Sequence, residues 1–376
     1  MRVGIVAFGF HPGETGGTES YLRNLVSGLQ RYDRSNTYTL VVRKEYLEEA
    51  KNMVHSKSWR VVGLNTDYSI FVRALRKFRI ISRSNESQIA AAIDRIGFDL
   101  VHFPMQTIYP YGIKAKKILT FHDMQEKHYP EFFSDEELKF RKNNYEKSAK
   151  EADKIITISN YTKEDIKKYY PMQTYDKCIT VYHGTDQYKR VPTIKNISNN
   201  NEYFYYPAAT WPHKNHERLL KAFARLLKKN NRYKLVLRGL KRQKSESVDN
   251  LIDKLKIGES VVIMGYLPYD ELQNVFQKAY AMVYPSLFEG FGLPVLEAMY
   301  LGIPVLCSNA TSLTEVAGDA AIYFNPASIK EMTMAMEKII QDKKLRQNLI
   351  HKGHSRAKKF SIKKMIGDTI NVYEQA

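Results

Sequence analysis

Short apolar runs alternate with longer amphipathic stretches along most of this chain. Residues 2–8, 38–42, 100–103, 118–121, 154–158 and 178–182 are apolar enough to be buried strands. Between them, 18–29, 85–96, 135–151 and 163–170 carry apolar residues at helical spacing. The alternation predicts βα units, and so a largely parallel sheet with helices on both faces. It breaks at 189–202, a polar, Asn-rich segment with one proline that reads as a linker. It then restarts, with strands at 203–207, 234–237, 261–264, 281–285, 303–307 and 321–324. Helices are predicted at 216–228, 248–256, 270–278, 294–301 and 329–342, and a basic helical stretch over about 345–373. The predicted fold class is α/β, with two Rossmann-like domains whose parallel sheets face each other across a cleft. In such sheets ligands bind beyond the strand carboxyl ends.

Composition narrows the class. A chain of 376 residues suits two domains, and 12% aromatics exclude disorder as its main state. No run approaches the roughly 18 consecutive apolar residues of a membrane span. The opening apolar run passes into a Gly-rich segment with no small-residue cleavage site, so it reads as a strand and not a signal peptide. Two distant cysteines, Cys178 and Cys307, exclude a disulfide framework and point to a reducing cytoplasm. The net charge of +18 favours an anionic partner: nucleic acid, an anionic membrane face or a phosphorylated substrate. Segment 68–84, from Tyr68 to Ser84, concentrates Arg73, Arg76, Lys77, Arg79 and Arg83 without an acidic residue. Phe71, Leu75 and Phe78 fall at helical spacing there. It reads as a basic amphipathic helix for a membrane surface, or as a helix packed on its own sheet.

Four segments carry candidate chemistry. Gly13-Glu14-Thr15-Gly16-Gly17-Thr18-Glu19 follows the first strand and opens a helix with Thr18 as the expected N-cap; its glycines let backbone N–H groups approach an anion. Thr120-Phe121-His122-Asp123 ends a buried strand. There His122 can donate a hydrogen bond to substrate, and Asp123 can orient it or accept a proton. Trp211-Pro212-His213-Lys214-Asn215-His216 places Lys214 at a helix start, where a cation gains nothing from the helix dipole but suits a bound phosphate. Phe288-Glu289-Gly290-Phe291-Gly292-Leu293-Pro294-Val295-Leu296-Glu297 is a tight loop into a helix. Pro294 is expected at the first helical position and Glu297 in the first turn. A carboxylate beside such a loop can accept both ribose hydroxyls.

Taken in order, these segments resemble the retaining glycosyltransferases of the GT-B fold, family 4, over nearly the whole chain. Thr157-Ile158-Ser159-Asn160, Tyr182-His183-Gly184-Thr185-Asp186 and Ser312-Leu313-Thr314-Glu315 support the likeness. The resemblance implies an acceptor-binding domain at 1–188, the linker at 189–202, a nucleotide-sugar domain at 203–355 and a helix at 356–376 crossing back to the first domain. It implies that Gly16 and Gly17 contact the donor, and that His122 reaches the transferred sugar. Lys214 would hold the diphosphate and Glu297 the ribose. Glu289 with the backbone of Phe291, Gly292 and Leu293 would hold the sugar and phosphate. His122, Lys214 and Glu289 are then the catalytic candidates, and Glu19 and Asp123 the acceptor-side ones. Many relatives carry an Arg shortly before the Lys; here Ala208-Ala209-Thr210-Trp211 has none, and Arg238 is the candidate for that second charge.

The implied reaction moves a sugar from a nucleoside diphosphate to a hydroxyl with retention, through an oxocarbenium-like transition state. No Asp-x-Asp motif occurs, and neither a divalent metal nor another cofactor is expected. His122-Asp123-Met124-Gln125 with His128-Tyr129-Pro130 looks like bacterial surface-polysaccharide transferases, so GDP-mannose is the expected donor; UDP-sugars and dTDP-rhamnose stay open. The acceptor would be a lipid-linked oligosaccharide, with the enzyme peripheral on the cytoplasmic face of an anionic membrane. Rival readings are a nucleic-acid-binding protein, for which no recognition signature appears, a non-catalytic carbohydrate-binding protein, and a phosphorylase or epimerase on the same fold.

Overall fold

The computed structural model describes residues 1–13, 16–66, 83–185, 202–239, 248–265 and 275–376. They form two compact units, Met1–Gly184 with Ile362–Ala376, and Thr185–Ser361. Segment 68–84 lies outside the described residues except for Arg83 and Ser84, which open the helix Arg83–Ile96. Linker 189–202 lies outside them except for Glu202, as does most of the helix expected at 270–278. Among the described residues no helix is long and apolar enough to cross a membrane.

In the first unit, β1 (Arg2–Val6), β2 (Thr37–Arg43), β3 (Trp59–Leu64), β4 (Leu100–Phe103), β5 (Lys116–Phe121), β6 (Lys154–Thr157) and β7 (Cys178–Thr180) form one parallel sheet of order β3-β2-β1-β4-β5-β6-β7. The inner strands are apolar on both faces because helices cover both; Ile5, Leu40, Val101, Leu119 and Ile155 are fully buried. The apolar runs anticipated every strand but β3. That edge strand, Trp-Arg-Val-Val-Gly-Leu, buries Trp59 against Tyr38, ring centroids 4.7 Å apart, exposes Arg60 and leaves the rest part-exposed.

The second unit holds β8 (Tyr203–Pro207), β9 (Lys234–Arg238), β10 (Val261–Met264), β11 (Ala281–Tyr284), β12 (Val305–Ser308) and β13 (Ala321–Phe324), in the parallel order β10-β9-β8-β11-β12-β13. Each sheet is thus wound outward in both directions from its first strand. The winding reverses between β1 and β4, and between β8 and β11. At such a point successive connections cover opposite faces, and a crevice opens beyond the carboxyl ends.

The basic helical stretch over about 345–373 consists of two helices. Lys343–Ala357 packs in the second unit, where Gly353 meets Met299. Ile362–Glu374 packs in the first, on the helix Gly17–Tyr32. Gly28 makes that seat: a Cβ there would stand 2.6 Å from Ile366 Cγ1 and 2.7 Å from Ile362 Cγ2. The helix also delivers Tyr373, whose hydroxyl bonds His102 Nδ1 at 2.7 Å. His102 Nε2 meets Thr120 Oγ1 at 2.7 Å, and that hydroxyl meets Tyr21 at 2.9 Å. All four side chains are buried.

Burial pushes His102 and His183 down to about 3, with the neighbouring His122 charge adding to it. His122 is lowered by burial as well, against the raising effects of the Pro104 carbonyl and Asp123. These rings fold neutral.

Two predictions follow from this unit. Gly28→Leu forces a side chain into the helix Ile362–Glu374 and is expected to cost about 1–3 kcal/mol. Urea denaturation read by Trp59 in a Trp211→Phe background measures it, and an unchanged midpoint would refute the seat. The second concerns pH. An unfolded histidine titrates near ~6.5, so below that value the unfolded chain binds more protons than the folded one. Stability is therefore full above about pH 6.5 and declines as pH falls toward the folded values, by up to about 1.4 kcal/mol per pH unit per histidine. Glu126 and Asp165, both raised by burial, oppose this with two groups against three. The Trp59 midpoint should fall between pH 6.5 and 5; a flat profile would count against the neutral histidines.

Candidate active site

Strands β8 and β11 carry the charged candidates to the carboxyl edge of the second sheet. After β8 the chain makes a short 3-10 turn, Pro212–Lys214, and then Asn215 adopts a left-handed conformation at φ 61°. Asn215 is buried, and its Nδ2 donates to the carbonyls of Pro285 at 3.0 Å and Pro326 at 2.8 Å. The Leu287 N–H bonds the His213 carbonyl at 2.8 Å. These bonds hold the two loops edge to edge, and Lys214 therefore meets Glu289. Lys214 Nζ lies 2.5 Å from Glu289 Oε1, with the side chains only 16% and 11% exposed. The ammonium also reaches the Tyr284 hydroxyl at 3.4 Å, and the Tyr206 hydroxyl donates to the Lys214 carbonyl at 2.5 Å. Burial, and then the Glu289 charge, push both phenols far above their usual range, so they stay protonated. The Glu289 backbone is fixed by Thr311 Oγ1 at 3.1 Å and Ser312 Oγ at 2.8 Å.

Gly292 sits at φ 97°, where a Cβ would also come within 2.4 Å of Leu313 Cδ2. It caps the helix Leu293–Tyr300. The helix starts one residue before the expected Pro294, which takes the second position. Glu297 is consequently in the second turn, not the first. The dipole of the helix start is not what holds it there. Glu297 and Arg238 both act electrostatically on Tyr205, a buried phenol whose hydroxyl has no hydrogen-bond partner among the described residues. Register pairs Arg238 with Pro207, and the Gly239 backbone closes on Ala208 so tightly that a Cβ would stand 2.3 Å from its carbonyl oxygen. Arg238 thus ends its strand beside the Ala208-Ala209 stretch that lacks an arginine.

In the first unit the expected roles shift. The helix cap is Gly16, at φ 56°, not Thr18, and among the described residues nothing stands within 4 Å of a Cβ placed on Gly16 or Gly17. Glu19 accepts the Gly13 N–H at 2.8 Å and pairs with Arg23 at 2.7 Å. Its carboxylate braces the glycine loop. His122 Nε2 lies 2.7 Å from the Pro104 carbonyl, which only a nitrogen bearing hydrogen can satisfy. Neutral His122 therefore offers Nδ1 as an acceptor, in place of the donor expected from the sequence. Its orienting group is that carbonyl together with the Tyr21 ring, 5.2 Å away edge to face. Asp123 Oδ1 caps the Gln125 N–H at 3.2 Å, and Gln106 bridges the Asp123 carbonyl and the His122 N–H. Asp123 contributes charge to His122 while the ring is oriented from elsewhere.

A cavity of about 380 Å³ opens beyond β1 and β4, lined by Phe8, Phe103, Tyr109 and Phe140 with His11 and Arg43. Sequence reasoning passed over this cavity, and also Tyr21, Tyr205, Tyr206 and Tyr284. The tyrosines had a legible signal: each stands near a strand carboxyl end or at a helix start beside a segment already singled out.

The comparisons with known proteins follow the same division. Residues 15–189 match the family described as Glycosyltransferase Family 4, and 189–356 match Glycosyl transferases group 1. The chain is 30% identical over 267 residues to O-antigen chain mannosyltransferase B of Escherichia coli, covering 69% of this chain and 70% of that one. Sucrose-phosphate synthase from Thermosynechococcus elongatus superposes with a TM-score of 0.79 at 18% identity, over 100% of this chain and 98% of that one. Anabaena HepE in complex with UDP and glucose gives a TM-score of 0.76 at 15% identity, over the whole of both chains. With two parallel, doubly wound sheets and this relationship to the mannosyltransferase, the chain belongs to the family 4 glycosyltransferases of the GT-B fold.

Proposed function

We propose that this glycosyltransferase moves mannose from GDP-mannose, with retention, to a hydroxyl of a lipid-linked oligosaccharide in surface-polysaccharide synthesis. The observation that carries the reading is the largely buried Lys214–Glu289 pair at the reversal point of the second sheet. A cation and a carboxylate held there by loop-to-loop bonds suit the two ends of a sugar diphosphate. The kinship with an O-antigen mannosyltransferase supports the donor and the pathway class.

On this reading Lys214 takes the growing negative charge of the leaving diphosphate, with the N–H groups of Gly292 and Leu293 at the helix start and Arg238 as a second cation. Such charges suffice without a divalent metal. Glu297 accepts the ribose hydroxyls. Glu289 and the Phe291 backbone hold the sugar, and His122 Nδ1 accepts from a sugar hydroxyl. Gly16 and Gly17 contact the donor through their backbone, the role the family resemblance implies for them. The aromatic cavity beyond β1 and β4 takes the saccharide of the acceptor. The departing phosphate removes the acceptor proton on the face it leaves, since the Glu289 carboxylate is engaged by the sugar hydroxyls. The net charge of +18 and the basic segment 68–84 fit a peripheral enzyme on an anionic cytoplasmic membrane face.

Calorimetric titration with GDP, UDP, dTDP and their sugar conjugates, without added metal, tests the donor site. One nucleotide, expected to be GDP, should bind selectively. Lys214→Ala and Glu297→Ala should each weaken it about 10-fold or more, the loss expected for a charge-assisted bond. Incubation of GDP-mannose with a lipid-linked acceptor should then give an α-linked product by NMR. Equal binding by parent and variants, or no nucleotide binding at all, would overturn the assignment; a β-linked product would overturn retention.

A further inference from the structure

The Lys214–Glu289 contact raises a conflict that the donor reading, on which this inference rests, must resolve. The ammonium the diphosphate needs is already neutralised by a carboxylate 2.5 Å away, in a pocket where both side chains are largely withdrawn from water. Screening is weak in such a place, so the repulsion between Glu289 and an incoming diphosphate is felt in full. A bare nucleoside diphosphate gives Glu289 nothing in exchange for Lys214. A nucleotide sugar does, because its hydroxyls donate to the carboxylate. The Glu289 backbone is pinned by Thr311 and Ser312, so the carboxylate stays within reach of Lys214 and returns when the sugar has gone. Tyr284 and Tyr206 keep their protons beside it and carry no competing negative charge.

We propose that Glu289 is an internal counter-ion that competes with the diphosphate for Lys214 and yields when a sugar is attached. It thereby sets the preference of the site for nucleotide sugar over free nucleoside diphosphate, and after transfer it re-pairs with Lys214 and drives the diphosphate out.

Glu289→Gln tests this, because it keeps shape and hydrogen bonding and removes the charge. It leaves a buried ammonium unpaired, which destabilises the free protein and strengthens its hold on an anion. Calorimetry with GDP, UDP and GDP-mannose on the parent, Glu289→Gln and Glu289→Ala is the direct measurement. Both variants should bind the preferred nucleoside diphosphate about 10-fold more tightly than the parent, while the nucleotide sugar gains nothing, so the preference collapses. Product inhibition by GDP should tighten by a similar factor, and GDP should raise the melting temperature of Glu289→Gln more than that of the parent. A merely structural role would weaken both ligands together. If both variants bind the diphosphate no better than the parent while Lys214→Ala still abolishes binding, the counter-ion role is wrong and the donor site stands. If the parent binds neither GDP nor UDP, the donor reading fails and takes this inference with it.

Discussion

A parallel strand can be reached only by a crossover connection, and crossovers in one sheet are right-handed. That constraint shapes everything else here. Each sheet starts in its middle and winds outward both ways, so the connections around its first strand leave on opposite faces. The strand ends part at β1/β4 and β8/β11, where a crevice opens. The glycine loop, the aromatic cavity, Lys214 and Glu289 all stand at those carboxyl edges. The core strands are apolar on both faces for the same reason, and so contribute stability and placement while the loops carry the polar chemistry.

Charge in the second unit is arranged in depth. The Lys214–Glu289 pair is too buried to be an ordinary surface bridge, whose worth is about 0–1 kcal/mol. Loops already fixed through Asn215, Thr311 and Ser312 hold the two charges together, so that pairing them costs little further ordering. A pair held this way is preorganised, and the ligand that separates it must satisfy both partners. The protonated tyrosines at its side lower the polarity of the pocket without adding charge.

The first unit handles its histidines differently. His122 is kept neutral by burial and turned by a backbone carbonyl, so it presents a lone pair. Tyr21, which packs on that ring, belongs to the buried run through Thr120 and His102 to Tyr373. The last helix of the chain is thereby built into the surroundings of a residue in the loop after β5.

The sequence by itself determined the βα alternation, the division of the motifs and their placement at strand ends. These depend on periodicity and on neighbours a few residues apart. It left β3 unmarked, although that strand carries Trp59, Val61, Val62 and Leu64, of which only Trp59 is buried in the core. The resemblance set a separate last helix at 356–376, and packing puts its start at Ile362. Only the tertiary structure decided partners. Lys214 meets Glu289 across 75 positions, and His102 meets Tyr373 across 271. The protonation of His122, the bracing role of Glu19 and the turn occupied by Glu297 depend on such meetings. Hydrogen bonds and dielectric surroundings are properties of space, and local sequence spacing does not encode them.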